Sequence, residues 1–459
     1  MNLLSISRTA LGEAVVDARR RTLELLHDLD EEQLLGPRLS IVNPPLWEMG
    51  HLAWFGEKWV LRHAGNCPPL RSDADSLFDS SAVPHDTRWD LFLPPCAATM
   101  DYMNQVQERI LDVVQRGPTA EETFFILLSV FHEDMHGEAF LYTRQTLGYS
   151  RPRLSPPEGL CNENVGQAFQ PDADLKTGQA GTPDLRFGDS GGAGPLPSDV
   201  EIPGGTFYLG AGRDEPFVFD NEKWAHPVPV RPFAIARAPV TQAEFAAFVA
   251  DDGYRRAELW GEAGWRWRQA GEVLHPMHWR REGDGWLRRD FDGWLPLEPH
   301  RPVIHVNWHE AEAYCRWARR RLPTEAEWEA AAAASGNDLS APKRRFPWGD
   351  EPPKPTQAQL DGYGLGCCDV ADLPAGDSHF GCRQMIGNVW EWTASDFLPY
   401  PGFVADPYRE YSQPWFGTHK VLRGGAWMTR SRLLRNTWRN FYPPDRRDVW
   451  AGFRTCALR

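Results

Sequence analysis

The sequence predicts a multidomain α and α+β protein in which a four-helix bundle precedes an aromatic-rich α+β domain. Three observations predict this. Residues 1–150 alternate long helix-like stretches with short Pro-rich breaks. Residues 151–200 turn rich in Gly, Pro, Ser and Asp and lose apolar periodicity, which is the composition of a linker. Residues 201–459 read as short strands and turns around two modest helices, with many tryptophans. The length, 459 residues, also exceeds what one hydrophobic core organises, so two domains are expected.

Taken in order, four helices can be drawn near 7–29, 44–63, 98–116 and 119–147. In the first, Leu11, Val15, Ala18, Leu23, Leu26 and Leu29 recur at threes and fours, the spacing of one buried helical face. Repeated over four stretches, this is a bundle pattern. Beyond the linker, IPGGTFYLG at 202–210, VTQAEFAAFVADDG at 240–253, WHEAEAYCRWARRR at 308–321 and TEAEWEAAAAA at 324–334 mark an irregular α+β domain with much loop surface, where sites usually lie.

Composition narrows the function. The formal net charge of −14, with no long basic stripe, repels polyanions, so nucleic acid is not an expected partner. No apolar run approaches the roughly 20 residues that span a bilayer, so no membrane partner is expected. At the N-terminus the basic cluster follows the apolar residues, the wrong order for a secretory signal. A cytoplasmic protein is expected. Its eight cysteines form no CxxC pair and read as reduced thiols rather than a disulfide framework or zinc ribbon. The adjacent Cys367 and Cys368, in a Gly-rich loop, are the one unusual pair.

The sharpest local signal is HEDMHGE. His132 and His136 stand four apart on the fourth helix, which stacks both imidazoles on one face within reach of one metal ion. His51, in WEMGHLAWF on the second helix, can face them across a bundle core and complete a three-His site with open positions. Glu138 lies about 200° round the helix from His136 and is expected to be structural. His132-Glu133-x-x-His136 also satisfies the HExxH helix of zinc hydrolases, in which the Glu is general base. A third metzincin His would stand at position 142, which is Tyr142, and other zincins need a further ligand on a downstream helix. Ligand type alone leaves iron and zinc both open.

In the second half, WHEAEAYCRWARRRLPTEAEWEAAA, FPWGDE, GNVWEWTASDF and VLRGGAW together resemble the formylglycine-generating-enzyme-like domain, a C-type-lectin-related α+β fold, over about 202–459. That enzyme's own chemistry is excluded, because GGAWMTRSRLLRN lacks its two cysteines. A DinB-like four-helix bundle carrying H-x3-H-x-E before such a domain resembles the ergothioneine and ovothiol sulfoxide synthases. The resemblance implies iron(II) held by His51, His132 and His136, with O2 and a histidine betaine, hercynine, as substrates. DPYREYS and RNFYPPDRRDVWAGFR extend it. By resemblance Tyr408 is the phenol that donates a proton during the oxygen chemistry, while Tyr411, Asn440 and Phe441 line the betaine pocket. Arg446 and Arg88 are assigned to the substrate pocket with them. A phenol stays protonated at neutral pH, and aromatic faces suit a trimethylammonium group.

Departures point to the second substrate. Tyr442 stands where relatives that use γ-glutamylcysteine have an aspartate to pair with the ammonium group, Met135 stands where a Gln is common, and Arg430 replaces an acid. A neutral, hydroxyl-rich nucleophile therefore fits better than a zwitterionic thiol. The chain looks most like the selenoneine-forming branch, which joins a 1-selenosugar to hercynine. A thiol such as cysteine, a thiosugar or γ-glutamylcysteine is the alternative. The bundle is expected to supply the metal, and the second domain the phenol and pocket, across a cleft.

Overall fold

The computed structural model of the chain describes residues 6–155 and 199–458. The described residues divide into two compact units, each assembled from separated stretches of chain. The helical unit holds 6–155, 211–223 and 402–414; the second holds 199–210, 224–401 and 415–458. Most of the expected linker lies outside the described residues. Its expected end at 200 is corrected, because a strand already begins at Asp199.

In the helical unit, α1 (Arg8–Leu26) starts where the Ser7 hydroxyl accepts the Ala10 N–H. It stops three residues short of the expected boundary because Asp30 caps a new short helix, α2 (Glu31–Leu35), with its carboxylate. Leu11, Val15, Ala18, Leu26 and Leu29 are buried, as the spacing requires, whereas Leu23 is half-exposed. Steps of four and seven from Ala18 bring Thr22 and Leu25 to the inner face instead. Helix α3 (Pro45–Gly56) begins on a proline, which lacks the N–H that a first turn leaves unpaired. It widens into a π-helical stretch over Glu57–Ala64, closing with the Gly65 N–H on the Val60 carbonyl at 3.0 Å. After α4 (Ala74–Phe78) come α5 (Cys96–Arg116) and α6 (Ala120–Leu147). The 28 residues of α6 are held by a Thr119/Glu122 capping box and end at Gly148, φ +69°. Helices α1, α3, α5 and α6 pack on one another as the bundle.

The second unit contains four α-helices, not two: α7 (Gln242–Ala250), α8 (Glu262–Ala270), α9 (Trp308–Trp317) and α10 (Glu325–Ala333). Only Gly264 of α8 is buried, so that helix carries no apolar stripe to announce it. Its strands are β1 (Asp199–Ile202), β2 (Gly205–Leu209), β3 (His226–Val230), β4 (Phe233–Ala236), β5 (Trp279–Glu282), β6 (Gly285–Asp290), β7 (Gly293–Pro296), β8 (Arg320–Arg321), β9 (Trp390–Asp396), β10 (Lys420–Arg423), β11 (Asn440–Tyr442), β12 (Ala451–Gly452) and β13 (Cys456–Ala457). They form sheets of order β1-β4-β13-β8 and β11-β10-β9-β12, a β2-β3 pair and a β5-β6-β7 meander. The pairing of β9 with β12 is parallel.

The motif segments of this unit meet in its core. Glu391 of the WEW segment accepts from Trp328 Nε1 (2.8 Å) and from Arg454 (2.6 and 2.7 Å). Arg423, fully buried, binds Glu329 (2.5 Å) and Glu325 (2.9 Å), and Arg439 binds Glu325 (2.7 Å). Ions buried this deeply persist only when paired. Gly424, φ +99°, lies where a Cβ would stand 2.7 Å from the Met385 carbonyl oxygen. These motifs therefore serve the fold. So do the vicinal thiols: Cys367 and Cys368 are buried, Cys367 Sγ donates to the Asn388 carbonyl (3.3 Å), and burial pushes the Cys368 thiol up to about 12. The described cysteines are all free thiols.

Candidate functional site

Three imidazoles converge inside the helical unit. His51 on α3 and His132 and His136 on α6 place one ring nitrogen each within 4.8 Å of the others. Ring centroids lie 5.1 Å apart for His51 and His132, 5.2 Å for His51 and His136, and 4.6 Å for the helical pair. His51 is wedged between Trp47 and Trp54, and its Nδ1–H donates to the Phe78 carbonyl at 2.8 Å, which leaves Nε2 as its lone-pair nitrogen. That approach is possible because residue 50 is glycine; a Cβ there would sit 2.2 Å from the Phe78 ring. His132 stacks flat on Phe55, centroids 3.7 Å apart and planes 5° apart. Burial, then the neighbouring imidazoles, holds His51 and His132 well below the ordinary histidine pKa, so both are neutral donors. The Nδ1 atoms of His132 and His136 are buried without a hydrogen-bond partner. Three converging imidazoles, two of them with a buried and unsatisfied Nδ1, fit a divalent first-row metal ion.

Behind His136, Glu48 Oε1 lies 3.6 Å from its Nδ1 and accepts from Asn43 Nδ2 (2.7 Å), while Asn43 Oδ1 accepts from Arg88 (2.6 Å). Arg88 is 8% exposed and its guanidinium lies 3.8 Å over the Trp47 ring, with burial lowering its pKa to about 10. Glu133 faces elsewhere. Both its carboxylate oxygens bind Arg19 of α1, at 2.7 and 3.3 Å. A carboxylate committed to a buried guanidinium is poorly placed as the general base of an HExxH site.

The segment that carries the expected phenol folds with these helices. This corrects the expectation that the second domain supplies it, since 402–414 belongs to the helical unit. Tyr408 stands edge-on to Phe55 at 5.0 Å, beside Trp59 at 5.8 Å and His132 at 6.2 Å. Burial, reinforced by Glu410 and Asp79, pushes its pKa well above the ordinary phenol value. Tyr411 donates its hydroxyl to Met135 Sδ (3.8 Å) and stacks on Phe219 (4.6 Å). The structure thus brings Tyr408, Tyr411, Met135 and Arg88 together with the three histidines.

Asn440, Phe441, Tyr442 and Arg446 belong to the second unit. The first three form β11, paired to β10. Phe441 stacks on Phe397 at 4.0 Å, and Arg446 lies 5.4 Å over the Tyr442 ring while binding Asp448 at 2.5 and 2.9 Å. Arg430 contacts Asp361 at 3.4 Å.

Residues 14–139 match the DinB superfamily, and residues 189–458 match the sulfatase-modifying factor enzyme 1-like domain. The chain is similar over its whole length to hercynine oxygenase of Mycolicibacterium thermoresistibile, 37% identical over 97% of this chain and 94% of the relative. Hercynine oxygenase of Mycobacterium tuberculosis is 36% identical over 95% and 96%. The chain belongs to the hercynine oxygenase family. Its second half alone is similar to the formylglycine-generating enzyme of Streptomyces coelicolor, 34% identical over 56% of this chain and 88% of that one. What the hercynine oxygenases match and the formylglycine-generating enzyme does not is therefore the N-terminal helical part, which holds the histidines.

Several site residues carried no mark in the sequence. Phe55 and Trp59 are one and two turns beyond His51 on the same helix, and a helical aromatic stripe reads as ordinary core. In EPFVFDNEK, Phe217 packs against Phe124 and Phe131 of α6 at 5.2 and 4.8 Å, and Phe219 against Phe131 at 6.2 Å and Tyr411 at 4.6 Å. That segment has no periodicity to betray which unit it joins. Among the described residues, no helix is long and apolar enough to cross a membrane.

Proposed function

We propose that the chain is a mononuclear non-haem iron(II) oxygenase that joins a 1-selenosugar to the imidazole carbon of hercynine, forming a selenoxide on the way to selenoneine. The observation that carries this reading is the three-histidine cluster with the buried Tyr408 phenol 6.2 Å from one of its rings, centroid to centroid. The overall conversion balances without a further reductant: an imidazole C–H, a selenol Se–H and O2 give a C–Se bond, one selenoxide oxygen and one water.

His51, His132 and His136 would hold the iron. When bound, it supplies activation of dioxygen and lowers the pKa of the nucleophile. The protein's own groups do the rest. Tyr408 keeps its proton until an oxygen-derived base develops, because a buried phenolate is unfavourable. Phe55 and Trp59 shield the histidines and the phenol from water, which favours coupling over side reactions. Tyr411 receives the betaine, its trimethylammonium against the aromatic face. Tyr442 and Met135 offer no anion for an ammonium group, and hydroxyls and aromatic faces suit a sugar; this supports the selenosugar.

A thiol nucleophile is the second reading, favoured by the relatives, whose name specifies hercynine and oxygenation and leaves the nucleophile open. Anaerobic iron reconstitution followed by oxygen uptake separates the two. With hercynine, the selenosugar should drive uptake and yield a coupled selenoxide by mass spectrometry. Turnover with cysteine or γ-glutamylcysteine and none with the selenosugar would replace the first reading by the second.

A further inference from the structure

The segments 211–223 and 402–414 are tied to each other by buried polar contacts. Asn221 Nδ2 donates to Ser412 Oγ at 3.0 Å, and Ser412 Oγ donates in turn to Asp220 Oδ1 at 2.5 Å. Ser412 is 0% exposed and Asp220 2%. A hydroxyl donates and accepts at once, and this one is used both ways. Burial raises the Asp220 pKa to about 6 against the opposing hydrogen bonds of Ser412 and the Asp406 backbone. The Ser412 proton points at Asp220, which turns its lone pair toward Asn221. Farther along, Lys223 Nζ meets both Asp406 carboxylate oxygens at 2.6 and 2.7 Å. Ser412 directly follows the short helical turn Arg409–Tyr411, for which Tyr408 is the cap, and Asp406 lies two residues before Tyr408. The phenol is bracketed from both sides.

We propose that Ser412 and Asp220, with Asn221, form a positioning clamp that fixes where the Tyr408 phenol stands and so sets the fraction of oxygen turnover that ends in bond formation. The inference rests on the proton-donor role proposed for Tyr408. These are positioning residues, acting through the phenol rather than on substrate.

The test uses the full-length iron-loaded protein and three readouts: iron content, amide hydrogen exchange of 402–414, and the ratio of coupled product to oxidised nucleophile. Ser412→Ala should keep its iron, raise exchange in 402–414, and lower the ratio several-fold toward that of Tyr408→Phe. The Ser412→Ala/Tyr408→Phe double variant should match Tyr408→Phe alone, because the clamp has nothing left to position. Asp220→Asn, which retains an acceptor for Ser412, should keep most of the wild-type ratio. If Ser412→Ala does not accumulate as folded protein, Lys223→Gln loosens the loop from its other end and is read the same way. Raised exchange with an unchanged ratio, or additivity in the double variant, overturns the proposal. If wild-type protein consumes no oxygen with hercynine, the functional reading falls and the positioning role with it, while the exchange data still report whether the loop is pinned.

Discussion

At the scale of single residues, the three histidines differ in how firmly each is oriented. His51 has its Nδ1 committed to a backbone carbonyl and two tryptophans around its ring, so it is set before any metal arrives. Replacing any one of the three by Ala should abolish iron retention with the fold largely kept, as read by metal analysis and circular dichroism; full iron occupancy in a His51→Ala protein would dismiss the three-histidine centre. Tyr408→Phe preserves the ring among Phe55 and Trp59 but removes the proton. Coupled product formation should fall by about 10²- to 10⁴-fold, with iron still bound and oxygen diverted to oxidised nucleophile. Tyr411→Phe removes the hydroxyl that donates to Met135 and should act mainly on hercynine affinity. For Glu133 the Arg19 pair decides: Glu133→Gln should keep iron and turnover while lowering stability by about 1–3 kcal/mol, whereas loss of all turnover with iron in place would revive the hydrolase reading.

At the scale of elements, the site depends on one close approach. Helix α3 meets Phe78, the last residue of α4, at Gly50, and the same contact presents the Phe78 carbonyl to His51. Gly50→Ala inserts a methyl group where the Phe78 ring already lies, so it should cost about 1–3 kcal/mol in stability and weaken metal affinity about 10- to 100-fold by disturbing the His51 orientation. Thermal denaturation and chelator competition measure the two effects separately. The elements also explain what the sequence could reveal. A four-residue step on a helix is a local fact, which is why His132 and His136 stood out; His51 required the further assumption that α3 and α6 face one another. Phe55, Phe219 and Asp220 matter through partners distant in the chain, and no local spacing encodes such partners. Likewise α8, with only Gly264 buried, offers no apolar face to mark it in the sequence.

At the scale of the whole molecule, acid tolerance should track one ion pair that ties the ends of α1 and α6. Arg144, 1% exposed, binds both Asp28 carboxylate oxygens at 2.7 Å, and the pKa of Asp28 is lowered from 3.8 to about 2. A depressed carboxyl pKa contributes stability above the unfolded value and loses it as pH falls through the folded one. Between about pH 4 and pH 2 the wild-type protein should therefore lose stability that Asp28→Asn has already lost, so denaturation midpoints of the two should converge over that window; because Asp28 is partly solvated, the difference should be modest. Midpoints that stay parallel down to pH 2 would remove the pair from the account.

The chain enters the helical unit three times, with residues 6–155, 211–223 and 402–414. On the ribosome this sets a timetable. The histidine-bearing helices emerge in the first third of synthesis, yet the segment bearing Tyr408 follows some 250 residues later, at the elongation rates of about 5–20 residues per second that limit domain folding. A nascent bundle must therefore persist, incomplete, for tens of seconds, and a product released at residue 401 should retain the three histidines while lacking the phenol proposed to couple oxygen use to bond formation. Under the role proposed for Tyr408, the late arrival of residues 402–414 makes full-length synthesis a condition for coupled turnover.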